Sequence, residues 1–140
     1  MVYLDTSVAV ALFIPEANTA GIKKWFAAAL EPIVSADWIV TEFASALSIK
    51  QRRGDITAPL MRAVWREFDA FRGAGLRLVP VTRSAFETAA RMARDAASGL
   101  RSGDALHLAV ALELGVSGLA TADAVLAANA KRHGLRMVEF

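Results

Sequence analysis

Short apolar blocks alternate along the chain with longer segments whose apolar residues recur at helical spacing. The first block, Val2–Leu4, is continuously apolar, as in a buried strand, and leads into an apolar run that predicts a helix over Thr6–Phe13. Further along, the pattern predicts strands at 33–35, 76–81, 117–120 and 136–140, and helices at 19–30, 38–52, 55–72, 82–97, 102–114 and 121–133. This alternation favours a three-layer α/β/α sandwich with one central parallel sheet.

The pattern runs without a linker, a low-complexity tract or an internal repeat, which predicts a single domain over residues 1–140. The chain is 55% hydrophobic with a mean hydropathy of +0.38, which fits a sheet that is buried on both faces. No apolar run approaches the roughly 18 residues of a membrane span and no secretory leader is recognisable, so we expect a cytoplasmic protein that does not enter a membrane. Cysteine is absent, which excludes disulfides, thiolate catalysis and cysteine-ligated zinc.

Three aspartates stand at element ends that a parallel sheet can bring together. Asp5 ends the first strand, Asp123 follows the fourth strand, and Asp104 opens the helix that leads into the fourth strand. Each of them taken alone is better explained as a helix cap, because carboxylates accept the free N–H groups of a first turn. If the first and fourth strands are neighbours, all three converge at one edge of the sheet, where α/β proteins bind ligands.

Glu42 is a fourth acid, and a capping role does not explain it. It falls within a largely apolar stripe of the third predicted helix, with Trp38, Ile39 and Ala46 about one turn away. A carboxylate buried on that face needs either an arginine or a cation as its partner. We therefore group Glu42 with the three aspartates as a functional residue.

Four carboxylates in one pocket predict a metal site. They cannot all ionise at close range without a cation between them, and oxygen ligands without Cys or a neighbouring His favour Mg²⁺ or Mn²⁺. Such sites serve phosphodiester hydrolysis, in which metal ions activate water and stabilise the leaving oxygen. The formal net charge of +2 then divides into an acidic pocket and a remainder of +6, from 16 basic residues and ten acids, which suits a polyanionic substrate.

Four segments of the chain resemble the PIN-domain family, and together they span nearly its whole length. They are Asp5-Thr6-Ser7, Thr41-Glu42, the segment Arg101–Ala109 (RSGDALHLA) and the segment Leu119–Asp123 (LATAD). The size of the chain is similar to that of the VapC-type toxins, the PIN-domain members of bacterial and archaeal toxin–antitoxin pairs.

This resemblance implies a sheet of strand order 3-2-1-4-5 and a metal-dependent endoribonuclease that cuts structured RNA and so inhibits translation. It also implies a homodimer and a cognate antitoxin that covers the site. The family's acidic metal-binding positions correspond to Asp5, Glu42, Asp104 and Asp123, and its neighbouring small polar positions correspond to Ser7 and Thr121. We hypothesise that Asp5 and Asp104 bind Mg²⁺ directly and that the other two acids complete its coordination, through water or a second metal.

Other residues allow two interpretations each. His107 lies one turn after Asp104, and packing within the domain is favoured over contact with the scissile phosphate. Lys50, Arg52 and Arg53 form the densest basic cluster; a solvated helix end is favoured, and contact with RNA phosphates is the alternative. The apolar faces of the second and fourth predicted helices are candidates for docking the antitoxin or a second subunit.

Rival functions make different demands on the sequence. A haloacid-dehalogenase-type phosphatase also begins with a strand that ends in Asp, but it needs a second Asp where this chain has Ser7. A phosphoacceptor receiver domain needs a Lys after a late strand, whereas Lys131 falls within a predicted helix. A PIN-like module that binds RNA without cutting it stays open, although four intact acids argue against it.

Overall fold

The computed structural model describes all residues, Met1–Phe140, and contains one five-stranded sheet in which every strand is parallel to its neighbours. The strands lie in the spatial order 3-2-1-4-5, which confirms the order implied by the family resemblance. They are β1 (Val2–Leu4), β2 (Ile33–Ala36), β3 (Arg77–Val79), β4 (Gly118–Ala120) and β5 (Arg136–Met137). Because β1 pairs with both β2 and β4, it is the central strand, and the strand order reverses beside it.

Seven helices cover the two faces of the sheet. They are α1 (Thr6–Phe13), α2 (Thr19–Ala28), α3 (Trp38–Arg53), α4 (Ala58–Ala74), α5 (Arg83–Arg94), α6 (Ser102–Glu113) and α7 (Ala124–Arg132). Alternate residues of β1 face opposite layers: Val2 and Leu4 pack in a core with α1 to α4, and Tyr3 packs in a second core with α5 to α7. The three-layer arrangement predicted from the alternating pattern is therefore confirmed.

Two residues of capping type do not cap the helices they precede, and two helices, α4 and α7, each begin three residues later than predicted. Neither Asn18 nor Asp37 makes a side-chain cap hydrogen bond, because neither has the extended backbone that a capping residue needs. Helix α4 begins at Ala58 instead of residue 55, since the Thr57 hydroxyl accepts a hydrogen bond from the Leu60 N–H and caps the helix there.

The outer strands are shorter than predicted. Strand β3 ends at Val79, because Pro80 has no N–H to donate. Strand β5 covers only Arg136–Met137, which pair with Gly118 and Leu119 of β4, its one neighbour. None of the helices has the length and apolar character that crossing a membrane requires.

Candidate active site

The four acids singled out in the sequence line one open cavity of about 400 Å³. The cavity lies beyond the carboxyl ends of β1 and β4, between the starts of α1 and α6, the first half of α3 and the turn before α7. This is the position at which an open parallel sheet offers a ligand site, because the connections from neighbouring strands leave in opposite directions there. The residues concerned are Asp5, Glu42, Asp104 and Asp123.

Asp5 is the most deeply buried of the acids, with 3% of its surface exposed. Its Oδ1 accepts hydrogen bonds from the Val8 N–H at 3.1 Å and the Ser7 hydroxyl at 2.7 Å, and its Oδ2 accepts one from the Thr121 hydroxyl at 2.7 Å. Burial raises the pKa of this carboxyl above its usual range, although these hydrogen bonds and the nearby imidazole of His107 oppose the shift. Asp5 therefore caps α1, as its position alone suggested, and also presents a buried carboxylate to the cavity.

Ser7 and Thr121 connect the turn before α7 to Asp5. The Ser7 hydroxyl accepts a hydrogen bond from the Ala122 N–H at 2.8 Å, and the Thr121 hydroxyl accepts one from the Asp123 N–H at 3.0 Å. Both hydroxyls donate to the Asp5 carboxylate, so the turn that carries Asp123 is fixed against it. The structure thus places both small polar residues beside the acids.

Asp104 and Asp123 both line the cavity and are close enough for their charges to interact. Burial raises the pKa of Asp104, and the negative charge of Asp123 raises it further, while the Arg101 guanidinium, 3.5 Å away, opposes the shift. Helix α6 begins at Ser102, as the pattern predicted, and Asp104 lies within its first turn. Asp123 does cap its helix, α7, by accepting the Leu126 N–H at 2.8 Å.

Glu42 is half-buried on α3, and its protein partners are Thr6 and His107, not an arginine. One carboxylate oxygen, Oε2, accepts a hydrogen bond from the Thr6 hydroxyl at 2.6 Å and lies 2.7 Å from Nε2 of His107. No arginine forms an ion pair with it. Burial by itself would raise the pKa of Glu42, but the hydrogen bond and charge of His107 and the hydrogen bond of Thr6 outweigh it and hold the pKa below its usual range.

His107 is buried, with 1% of its surface exposed, which agrees with the packing role favoured from the sequence. Its Nδ1 lies 2.8 Å from the hydroxyl of Tyr3, a residue of β1 that no feature of the sequence links with the site. Burial raises the pKa of Tyr3 far above its usual range, so this hydroxyl keeps its proton. A run of hydrogen bonds therefore leads from the central strand through His107 to Glu42.

Gly103 is a second residue that sequence reasoning missed. A Cβ at this position would overlap Oε1 of Glu42 and lie 3.1 Å from its Cδ and 3.3 Å from Nε1 of Trp38. That indole nitrogen is the one buried side-chain nitrogen or oxygen without a hydrogen-bond partner. The available signal was a glycine next to a candidate metal ligand in the first turn of a helix, where alanine is the better helix former.

The basic cluster of α3 does not line the cavity, although Ile49, next to it in the chain, does. Lys50 forms an ion pair with Glu16 at 2.7 Å, and Arg52 donates to the Ser48 hydroxyl at 2.6 Å. The one arginine or lysine at the cavity is Arg101, whose side chain is 83% exposed. A guanidinium so exposed gains little from its contact with Asp104 and is free to meet an anion.

The chemistry of the donors fits a hard divalent cation. The cavity presents carboxylate and hydroxyl oxygens, and the raised pKa values of Asp5 and Asp104 reflect burial and like-charge repulsion that a cation would relieve. No three of its acidic or histidine side chains approach closely enough to form a ligand cluster as they stand. Binding therefore requires either adjustment of the side chains or water molecules between the carboxylates and the cation. Mg²⁺ commonly keeps several such waters, because it gives up its hydration shell reluctantly.

Residues 2–131 match the family model of the PIN domain. Among solved structures, the VapC20 toxin of Mycobacterium tuberculosis, described as cleaving the sarcin–ricin loop, has a TM-score of 0.74 at 20% identity, with 92% of this chain and 95% of that chain covered. FitAcB of Neisseria gonorrhoeae has a TM-score of 0.72 at 16% identity, with 99% of this chain and 97% of that chain covered. VapBC2 of Rickettsia felis, bound to promoter DNA, has a TM-score of 0.65 at 15% identity, with 99% of this chain and 98% of that chain covered. No curated protein matches the sequence.

Proposed function

The chain belongs to the PIN-domain family, and on that premise we propose that it is a metal-dependent endoribonuclease, the toxin of a toxin–antitoxin pair. The observation that carries this proposal is the gathering of Asp5, Glu42, Asp104 and Asp123 around one cavity at the reversal of strand order. Burial raises the pKa values of Asp5 and Asp104, the charge of Asp123 raises that of Asp104 further, and a bound cation would favour the ionised form of both.

In the proposed site, Asp5 and Asp104 bind Mg²⁺ or Mn²⁺, and Glu42 and Asp123 complete the shell. A cation bound there would activate water for attack on phosphorus and stabilise charge on the leaving oxygen. The Ser7 and Thr121 hydroxyls orient the Asp5 carboxylate by donating to its two oxygens. These hydrogen bonds already commit both hydroxyls, and no histidine nitrogen bonds to either, so neither is an activated nucleophile, and in this proposal water is the attacking group.

We further propose a cognate antitoxin as the partner, with RNA as the substrate, a homodimer as the working form and the cytoplasm as the location. The relatives in fold include a complex from Klebsiella pneumoniae that is named as a toxin–antitoxin complex, which supports a protein partner. VapC20 is described as a toxin that cleaves the sarcin–ricin loop, which supports structured RNA as the substrate class here. Large apolar side chains are exposed on four helices, among them Leu60 on α4, one of the two helices predicted to dock a partner, and Phe86 on α5.

The test is cleavage of total cellular RNA by the purified protein with Mg²⁺, with Mn²⁺ and with EDTA. We expect discrete fragments that need the metal, vanish in Asp104→Asn and persist in Asp69→Asn, a matched change at an exposed acid of α4 outside the cavity. RNA binding without cleavage by folded wild-type protein in either metal would contradict the nuclease assignment and favour a binding module.

Arg101 supplies a prediction about substrate binding. Because it is the exposed cation at the cavity, we expect Arg101→Ala to weaken RNA binding and to lower the slope of log affinity against log salt by about one. Arg53→Ala, in the basic cluster outside the cavity, serves as the comparison. A larger loss of slope in Arg53→Ala than in Arg101→Ala would return the phosphate contact to the α3 cluster.

A further inference from the structure

We propose that His107, supported from behind by Tyr3, is a positioning residue that sets the orientation of the Glu42 carboxylate in the site. This inference rests on the proposed function, because it concerns how one acid of the proposed metal site is held. The observation behind it is a buried run of hydrogen bonds from β1 to α6 to α3, which joins three elements that are distant in the sequence.

The direction of the hydrogen bonds follows from the donors and acceptors. The Tyr3 hydroxyl accepts the Ala36 N–H at 3.1 Å and lies 2.8 Å from Nδ1 of His107. An ionised carboxylate can only accept hydrogen bonds, so Nε2 of His107 carries a proton whether the ring is neutral or charged. Nε2 therefore donates to Oε2 of Glu42, 2.7 Å away, and Tyr3 holds the other side of the ring.

The two oxygens of Glu42 are in different environments. Oε2 accepts one hydrogen bond from the Thr6 hydroxyl and one from Nε2 of His107, so both donors hold the same oxygen. Oε1 occupies the space above Gly103 that a side chain would fill, and the Trp38 indole N–H, which contributes to lowering the pKa of Glu42 but completes no hydrogen bond, borders the same space. Rotation of the carboxylate would break two hydrogen bonds at once, so Oε1 remains the oxygen that is available to a cation or to water.

The buried position of His107 excludes the simpler role of contact with RNA. Its ring is almost fully enclosed and both of its nitrogens already have protein partners, so it acts through Glu42. Residues that hydrogen-bond to metal ligands in this way typically contribute about 10- to 100-fold to metal affinity or activity.

The test uses two amide replacements of His107 that differ in reach. In His107→Gln the amide nitrogen takes the place of Nε2 and can still donate to Glu42, whereas in His107→Asn it takes the place of Nδ1 and meets only Tyr3. We expect Mn²⁺ affinity, measured by titration, to stay within about threefold of wild type in the Gln variant and to fall about 10- to 100-fold in the Asn variant. His133→Asn, at the exposed end of α7, is the matched control and should bind Mn²⁺ like wild type.

A double-mutant cycle distinguishes positioning from plain packing. If His107 acts through Glu42, the loss of Mn²⁺ affinity in His107→Asn should disappear in a Glu42→Gln background; a packing defect would add to the effect of Glu42→Gln instead. Tyr3→Phe, which removes one hydroxyl and keeps the ring, gives the same test if an amide at position 107 prevents folding, and we expect a several-fold loss of affinity.

The outcomes separate this inference from the function on which it rests. Wild-type protein that neither binds Mn²⁺ nor cuts RNA would overturn the proposed function. Wild-type protein that does both, with Mn²⁺ affinity unchanged in His107→Asn and in Tyr3→Phe, would overturn the positioning role alone.

Discussion

Replacement of Asp5 by Asn should nearly abolish RNA cleavage while leaving the protein folded. Loss of a direct metal ligand removes several kcal/mol of transition-state stabilisation, so we expect a decrease of about a thousand-fold or more in the cleavage rate. The fold should survive because Asn is as good an N-cap as Asp and can still accept the Val8 N–H and the Ser7 hydroxyl. Rates and thermal melts of the two proteins, measured side by side, check both parts.

The same variant should change how stability depends on pH. Burial raises the pKa of Asp5 in the folded protein above the value of about 3.9 in an unfolded chain, so the folded state keeps its proton to higher pH. In EDTA, the stability associated with this group is fully present below about pH 3.9 and is lost as pH rises through the raised pKa. Asp5→Asn has no such group, so its melting temperature in EDTA should exceed that of wild type at pH 8 and the difference should narrow towards pH 4.

Asp69→Asn is the control for both measurements, because Asp69 is exposed on α4 and pairs only with Arg72. It should cut RNA and melt like wild type. Cleavage by Asp5→Asn at the wild-type rate would remove Asp5 from the site, and a destabilised Asp5→Asn at pH 8 in EDTA would show that the buried charge is not a cost to the fold.

Gly103→Ala should reduce cleavage about a hundred-fold through a single added methyl group. The new Cβ would overlap Oε1 of Glu42, so the carboxylate must leave its present place, and a displacement of about 1 Å at a catalytic group can cost two orders of magnitude. Overpacking costs about 1–3 kcal/mol, while the better helix propensity of Ala returns up to about 1 kcal/mol, so the loss of stability should be modest. Cleavage rates at saturating Mg²⁺ and denaturant melts measure the two effects.

Gly73→Ala is the matched control, since Gly73 lies within α4 and has nothing within 4 Å of a Cβ built at its position. We expect it to cut RNA like wild type and to be slightly more stable. Full activity in Gly103→Ala would mean that the carboxylate of Glu42 can move without loss, and would contradict the importance of its observed orientation.

The sequence predicted most of the fold because each element carries its own local signal. The apolar run Val2–Leu4 predicts a buried strand, and the position of Asp5 at its end predicts both a helix cap and a metal ligand. In the structure, Asp5 accepts the capping hydrogen bond of α1 and also lines the cavity. The errors fall where a local preference is overruled by the surroundings. Asp37 is a good capping residue by type, yet its backbone is already helical and its side chain makes no cap bond.

The acids that share the cavity could be predicted, but the contacts that hold one of them could not. The alternation of strands and helices places Asp5 and Asp123 at one edge of the sheet, and this follows from spacing alone. The partners of Glu42 come from α1 and α6, and the support for His107 comes from β1, so they depend on how distant elements pack. For the same reason the sequence suggested an arginine or a cation for Glu42 and did not identify Thr6 or His107.

The central claim is that Asp5, Glu42, Asp104 and Asp123 together form one binding site for divalent cations. Titration with Mn²⁺, followed by the paramagnetic resonance of the free ion, measures this binding directly. We predict saturable binding by wild type and by Asp69→Asn, with Asp5→Asn and Asp104→Asn losing it most completely and Glu42→Gln and Asp123→Asn weakened. No saturable binding by folded wild-type protein, or binding that survives Asp5→Asn and Asp104→Asn unchanged, would contradict the account.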